Sequence, residues 1–282
     1  MELYTIDTGF FKLDGGAMFG VVPKVIWNTL NPADEKNLCT WAMRCLLVKE
    51  GNRLILIDTG MGNKQSDRFF SYYEPHGDAT LEGSLRKHGF SPDDITDVFL
   101  THLHFDHCGA AIRYDAEHKL IPAFKNATYW SHAAHWEWAV KPNAREKASF
   151  LKENIIPIEE SGQLRFYQEG EELIPGFTAQ VVHGHTEAMM VPVIEVHGQK
   201  LAYMADLLPS AAHLPLAYVM AYDIRPLDSL LEKEHFLKKA VAENYILYFE
   251  HDPRLEACTL QQTERGIRMK ESIRVAGGKL IG

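Results

Sequence analysis

Apolar residues gather in short dense runs, Arg44-Cys45-Leu46-Leu47-Val48 and Arg53-Leu54-Ile55-Leu56-Ile57, on either side of Glu50-Gly51-Asn52. Runs of that length around a glycine turn predict a hairpin of two strands. Leu81 and Leu85 stand four apart, with Asp78 before them as a candidate N-cap and Gly89 and Pro92 beyond, so a helix is expected over 78–87. The run Thr96–Thr101 reads as a strand that passes directly into His102-Leu103-His104-Phe105-Asp106-His107. Further strands are expected at Thr178–Val182, Val191–Glu195, Leu201–Met204 and Tyr245–Phe249. A helix is expected from Asp228 to about Glu243, with Leu230, Leu237, Ala240 and Val241 near one face. Strands and helices recurring in both halves predict an α/β chain, two sheets packed face to face with helices outside.

With 282 residues, 46% of them hydrophobic, the chain can bury a substantial core, and no linker-like tract divides residues 1–282. Lys and Arg number 29 against 38 Asp and Glu, so nothing draws the molecule to nucleic-acid phosphates or an anionic membrane. No apolar window is long enough to span a bilayer, and MELYTIDTGFFKLDGG lacks the form of an export signal. A soluble, cytoplasmic protein is expected, with Cys39, Cys45, Cys108 and Cys258 reduced. Histidine stands out at 14 residues, and three of them fall within six positions.

A lone histidine is ordinarily core or surface. Three with an aspartate at the end of a strand instead suit a borderline divalent ion, since imidazole nitrogen beside carboxylate oxygen favours Zn²⁺ or its first-row neighbours over Ca²⁺ and Mg²⁺.

The run HLHFDH resembles the HxHxDH signature of the metallo-β-lactamase superfamily, metallo-hydrolases with an αββα sandwich of two mixed sheets flanked by helices. Ile57-Asp58-Thr59-Gly60 resembles the family's turn after an early strand, Gly184-His185-Thr186 its next histidine motif, Ala205-Asp206 its bridging aspartate, and His251 its last ligand. The resemblance implies one metal held by His102, His104 and His185 and a second held by Asp106, His107 and His251. Asp206 would bridge the two, and Asp58 would support the metal loop from behind. It implies two divalent ions, zinc first with Mn, Co or Fe also matching the donors, activating a water for hydrolysis. Asp106 or Asp206 would relay the proton to the leaving group. His104 stands where the di-iron redox branch has a glutamate, and Asp206 where the zinc β-lactamases have a cysteine, so both branches are disfavoured.

The stretch 14–30, with Met18, Phe19, Val21, Val22, Ile26 and Trp27, resembles the amino-terminal segment of the quorum-quenching lactonase and methyl-parathion-hydrolase-like branch. There it lines the pocket and the subunit interface; an ordinary core strand is the alternative. Ala212-His213-Leu214-Pro215 and Ala221-Tyr222-Asp223 resemble the same branch. Phe19, Trp27, Phe105, His213 and Tyr222 are therefore the expected substrate contacts, and a homodimer is expected. The expected reaction is opening of N-acyl-homoserine lactones, with organophosphates, aryl esters and thioesters as alternatives. A scaffold that binds metal without catalysis is the contrasting class. One departure stands out, because acyl-homoserine lactonases carry a tyrosine three residues after the bridging aspartate and this chain has Pro209. His213 and Tyr222 are the candidates to replace it. A glutathione thioesterase would use basic residues near its C-terminus, such as Arg265, Arg268, Lys270, Arg274 and Lys279, which a solvated helix explains equally. His132 and His135 share helical spacing, but no carboxylate complements them as a metal pair.

Overall fold

A computed structural model describes residues 1–282. The first sheet comprises β1 (Glu2–Asp14), β2 (Leu38–Glu50), β3 (Arg53–Ile57), β4 (Asp97–Phe99), β7 (Thr128–His132) and β8 (Leu164–Tyr167), paired in that order. β5 (Ile112–Tyr114) and β6 (Leu120–Pro122) form a separate hairpin. The second sheet runs from β9 (Phe177–Val182) through β10 (Met189–Val196), β11 (Gln199–Tyr203), β12 (Ile246–Tyr248), β13 (Ala257–Thr263) and β14 (Gly266–Ala276) to β15 (Lys279–Ile281). Both sheets are mixed: β3, β4, β7 and β8 pair in parallel, as do β11 and β12.

The period-two geometry of strands explains the dense apolar run in β2. Leu46 and Val48 face the inter-sheet core with Met190, Tyr203 and Leu247, while Cys45 and Leu47 face the outer layer with Leu85, Trp136 and Ile155. A strand covered on both faces has no polar side to alternate with. The outer layer of the first sheet is built by α4 (Leu81–Lys87), α6 (Ala133–Val140) and α7 (Lys152–Glu160); on the second sheet α8 (Pro226–Ala242) buries Phe236, Leu237 and Ala240. Four further helices complete the set: α1 (Gly15–Phe19), α2 (Lys24–Trp27), α3 (Asp67–Tyr73) and α5 (Phe105–Cys108). The result is an αββα sandwich.

Three expectations are corrected. The helix expected over 78–87 starts at Leu81, because the Thr80 hydroxyl rather than Asp78 accepts the cap bond, from Gly83 N at 3.1 Å. The basic tail is no solvated helix: Gly266 closes a hairpin between β13 and β14, and these residues extend along the edge of the second sheet. The stretch 14–30 is two short helices rather than the core strand given as the alternative. They sink Met18, Phe19 and Trp27 into the core while Val21 and Val25 stand 92% and 82% exposed.

Candidate metal centre

Chain segments leaving the C-terminal ends of five strands deliver the polar residues to one edge of the sandwich. Asp58 follows β3, His102 and His104 follow β4, Asp106 and His107 lie within α5, His185 follows β9, Asp206 follows β11 and His251 follows β12. Asp58 and Ala205 hold positive φ angles, 56° and 44°, so the chain turns sharply at both places. All seven expected ligands are buried, and they fall into two sets: His102, His104, His185 and Asp206, and Asp106, His107 and His251.

Within the first set, His104 Nδ1 lies 3.1 Å from His102 Nε2 and 3.2 Å from His185 Nε2. Asp206 Oδ2 is 3.1 Å from His185 Nε2 and 3.8 Å from His102 Nε2. In the second, His107 Nε2 and His251 Nε2 are 3.2 Å apart, and Asp106 Oδ2 is 3.8 Å from each. Asp206 reaches both sets, its Oδ1 standing 3.2 Å from His251. Four donors around a zinc-sized ion at 2.0–2.1 Å are separated by about 3.3 Å, so the spacing fits a shared cation.

The outer nitrogens settle which lone pairs face inward. His107 Nδ1 is 3.1 Å from Asp58 Oδ2 and 3.0 Å from Glu250 Oε2. His185 Nδ1 is 2.9 Å from Asp223 Oδ1, and His251 Nδ1 donates to Ala42 O at 2.7 Å. With their protons committed outward, the Nε2 atoms of His107 and His251 confront each other as lone pairs. A cation between them would reconcile that contact. Electrostatics agree. Burial opposes charge on His251 and His185, yet Asp206 pushes them up to about 9 and about 10, so the cluster draws positive charge inward. His102 is held well below its usual value by burial and its imidazole neighbours. The donors therefore fit two divalent ions.

Support extends further back. Asp58 accepts from Thr101 N at 2.8 Å and from the Thr101 hydroxyl at 2.7 Å, fixing the start of the histidine loop. His135 Nε2 accepts from Leu103 N at 2.8 Å, so His135 braces that loop and is no metal ligand, and His132 caps α6 instead. Burial raises the Glu250 carboxyl to about 7 beside Asp58, with His107 opposing. Burial would also raise Glu146, but the His104 imidazole 3.7 Å away and bonds from Thr186 and Trp138 bring it down to about 2.

A cavity of about 310 Å³ opens on the cluster, lined by His104, Asp106, His185, Asp206 and His251 together with apolar residues that include Met18, Phe105 and Met220. Of the expected substrate contacts, Phe105 and Tyr222 line it. Phe19, Trp27 and His213 do not: Phe19 stacks between the other two rings, 5.5 Å from Trp27 and 4.7 Å from His213, all three buried behind the wall. His213 is further engaged through both nitrogens, by Ser210 Oγ and Met18 O. Tyr73, Arg145 and Glu146 also line the cavity, although no local motif marks them. Another cavity, of about 440 Å³ against Thr59 and Ala110, contains no comparable ligand cluster.

An αββα sandwich carrying two buried histidine–aspartate clusters at the mouth of a cavity defines a metal-dependent hydrolase. Residues 44–251 match the metallo-β-lactamase superfamily model, and the chain belongs to that superfamily. It is 24% identical over 213 residues to an N-acyl homoserine lactonase of Bacillus cereus, covering 72% of this chain and 74% of the relative. Among solved structures, a probable metal-dependent hydrolase from Staphylococcus aureus superposes with a TM-score of 0.87 at 28% identity, covering 95% and 96% of the two chains. A dizinc quorum-quenching lactonase, AidC, solved in complex with a product, N-hexanoyl-L-homoserine, gives 0.75 at 25% identity, with 95% and 93% covered. No helix is long and apolar enough to cross a membrane.

Proposed function

We propose that the chain is a dinuclear hydrolase opening lactones, N-acyl-homoserine lactones foremost. The carrying observation is the cavity itself, which sets an apolar wall of Leu13, Met18, Phe105 and Met220 directly beside the two ligand clusters. Such a wall suits an acyl tail, and the clusters suit the ester carbonyl. Likeness to lactonases over most of the chain supports the same reading.

Two divalent ions, zinc foremost, would be held by His102, His104, His185 and by Asp106, His107, His251 with Asp206 between; they supply Lewis acidity and a water acidic enough to attack near neutral pH. Asp206 has both carboxylate oxygens turned to histidines, which suits it to bridging. Asp106 borders the cavity and is placed to pass a proton to the departing oxygen. Asp58 and Asp223 hold His107 and His185 in the tautomer that presents Nε2. None of the basic residues of the tail lines this cavity, which weighs against a glutathione thioester. The exposed Val21, Val25 and Ile26 would suit a homodimer contact, and four buried, unpaired cysteines suit a reducing compartment.

A pH-stat panel of lactones of graded acyl length, beside aryl esters, phosphotriesters and thioesters, tests this. Lactones should lead, with turnover abolished by chelation and by His102→Ala. Preference for phosphotriesters, or metal binding with no turnover at all, would overturn the reading.

A further inference from the structure

β2 belongs to the first sheet, yet it grips a loop of the second. β3 pairs only with Leu46–Glu50, so the edge of β2 before Leu46 is open on that side, and the segment after β12 occupies it. Ala42 N donates to His251 O at 3.1 Å, Ala42 O accepts from His251 Nδ1 at 2.7 Å, and Arg44 N donates to Glu250 O at 3.0 Å.

The Arg44 side chain extends this grip. Its Nη1 donates to the carbonyls of Phe249, Asp252 and Leu255 at 3.0, 3.0 and 3.2 Å. The residue is 6% exposed, and its ion-pair partner Asp7, 3.4 Å from Nε, is itself exposed. Burying a guanidinium is costly unless its donors are matched. Here carbonyl oxygens match them, and all three flank His251. Carbonyls that converge on one point repel one another without a cation, so Arg44 decides the course of the chain over 249–255.

Of the seven expected ligands, that segment carries His251 alone. His251 Nε2 stands 3.2 Å from both His107 Nε2 and Asp206 Oδ1. His102, His104 and His185 arrive on the segments after β4 and β9, which Arg44 does not touch, and Asp206 is shared by both clusters.

We propose that Arg44 is a positioning residue for one ion of the pair. By gathering the 249–255 carbonyls it fixes His251 against Asp106 and His107, and so governs metal affinity there while leaving the His102, His104 and His185 cluster nearly unaffected. This rests on the two-ion reading above and not on the substrate.

The test uses Arg44→Lys and Arg44→Met in the full chain. Lysine keeps a cation and donors on a shorter stem, and methionine keeps apolar bulk alone. In a competitive chelator titration, Arg44→Lys should weaken one of two zinc sites by about 10- to 100-fold, with methionine losing more. Anomalous diffraction from its crystals at limiting zinc should show the peak among Asp106, His107 and His251 fall while the other stays. If Arg44→Met does not fold, the lysine variant carries the test.

A further readout needs no metal. In metal-free protein labelled with nitrogen-15 histidine, the His251 Nδ1 proton bonded to Ala42 O should resist solvent exchange in the wild type and exchange faster in Arg44→Lys. Turnover by Arg44→Lys should fall at limiting zinc and recover in excess zinc, which a general loss of stability would not produce. Equal weakening of both sites, or wild-type affinity at both, overturns the role of Arg44. A wild type that binds fewer than two ions defeats the two-ion reading and this role together. A wild type that binds two, with Arg44→Lys unchanged, defeats this role alone.

Discussion

Asp223 Oδ1 lies 2.9 Å from His185 Nδ1, both groups buried, so the carboxylate decides which imidazole nitrogen faces the cluster. Removing such an outer partner ordinarily costs 10- to 100-fold in metal affinity. Asp223→Ala should weaken metal binding by about that factor in a competitive chelator titration, while Asp223→Asn, whose amide oxygen still accepts, should lose less. Equal affinities in all three proteins would show that His185 needs no such support.

His135 holds the histidine loop only while neutral, because its Nε2 accepts from Leu103 N. Burial, the main cause, lowers its pKa from 6.5 to about 3. Between those values the unfolded chain binds a proton that the folded chain refuses, so this contribution is complete above pH 6.5 and is lost as pH falls toward 3. The slope is about 1.4 kcal/mol per pH unit. Urea unfolding of metal-free protein at pH 7.5, 6.0 and 5.0 should show a steeper loss in the wild type than in His135→Gln. Parallel curves would contradict it.

Gly184 allows the chain before His185 to pass against α8. A Cβ there would stand 2.3 Å from Ser229 N and 2.5 Å from Ser229 Cα, and backbone cannot swing aside as a side-chain tip can. Gly184→Ala should cost about 1–3 kcal/mol of stability, as overpacking does, and should lower metal content at the His185 cluster. Unchanged Tm and full metal content would count against that tight packing.

Lys233, 2% exposed on α8, donates to the carbonyls of His213, Pro215 and Tyr218 at 2.7, 2.9 and 2.8 Å. One ammonium thus gathers the loop that leads to Tyr222. Lys233→Met fills similar space and leaves the His213 and Tyr218 carbonyls unpaired, Pro215 O keeping the bond from Tyr218 N at 2.9 Å, so a loss of about 1–3 kcal/mol is expected in denaturant unfolding, with raised KM from a looser wall. A neutral result would mean that the loop is held by other contacts.

Local signals account for what was legible in the chain. β2 and β3 were readable because both faces are covered and the apolar run is unbroken, and HLHFDH was readable because ligands crowd into one loop. β1 was not, since a register shift between Asp7 and Phe10, with Gly9 at φ 104°, breaks its alternation. Phe19, Trp27 and His213 illustrate a different limit, because an aromatic behind a cavity wall and one on its surface look alike in sequence. Glu146 and Tyr73 reach the site only through tertiary packing, and nothing beside them in the chain announces it.

Anomalous diffraction from crystals of zinc-loaded protein tests the central claim most directly. Two peaks are predicted, one among His102 Nε2, His104 Nδ1 and His185 Nε2 and one among Asp106, His107 and His251, with Asp206 between them. A single peak, or a metal-saturated crystal with no density between His107 and His251, would contradict the account.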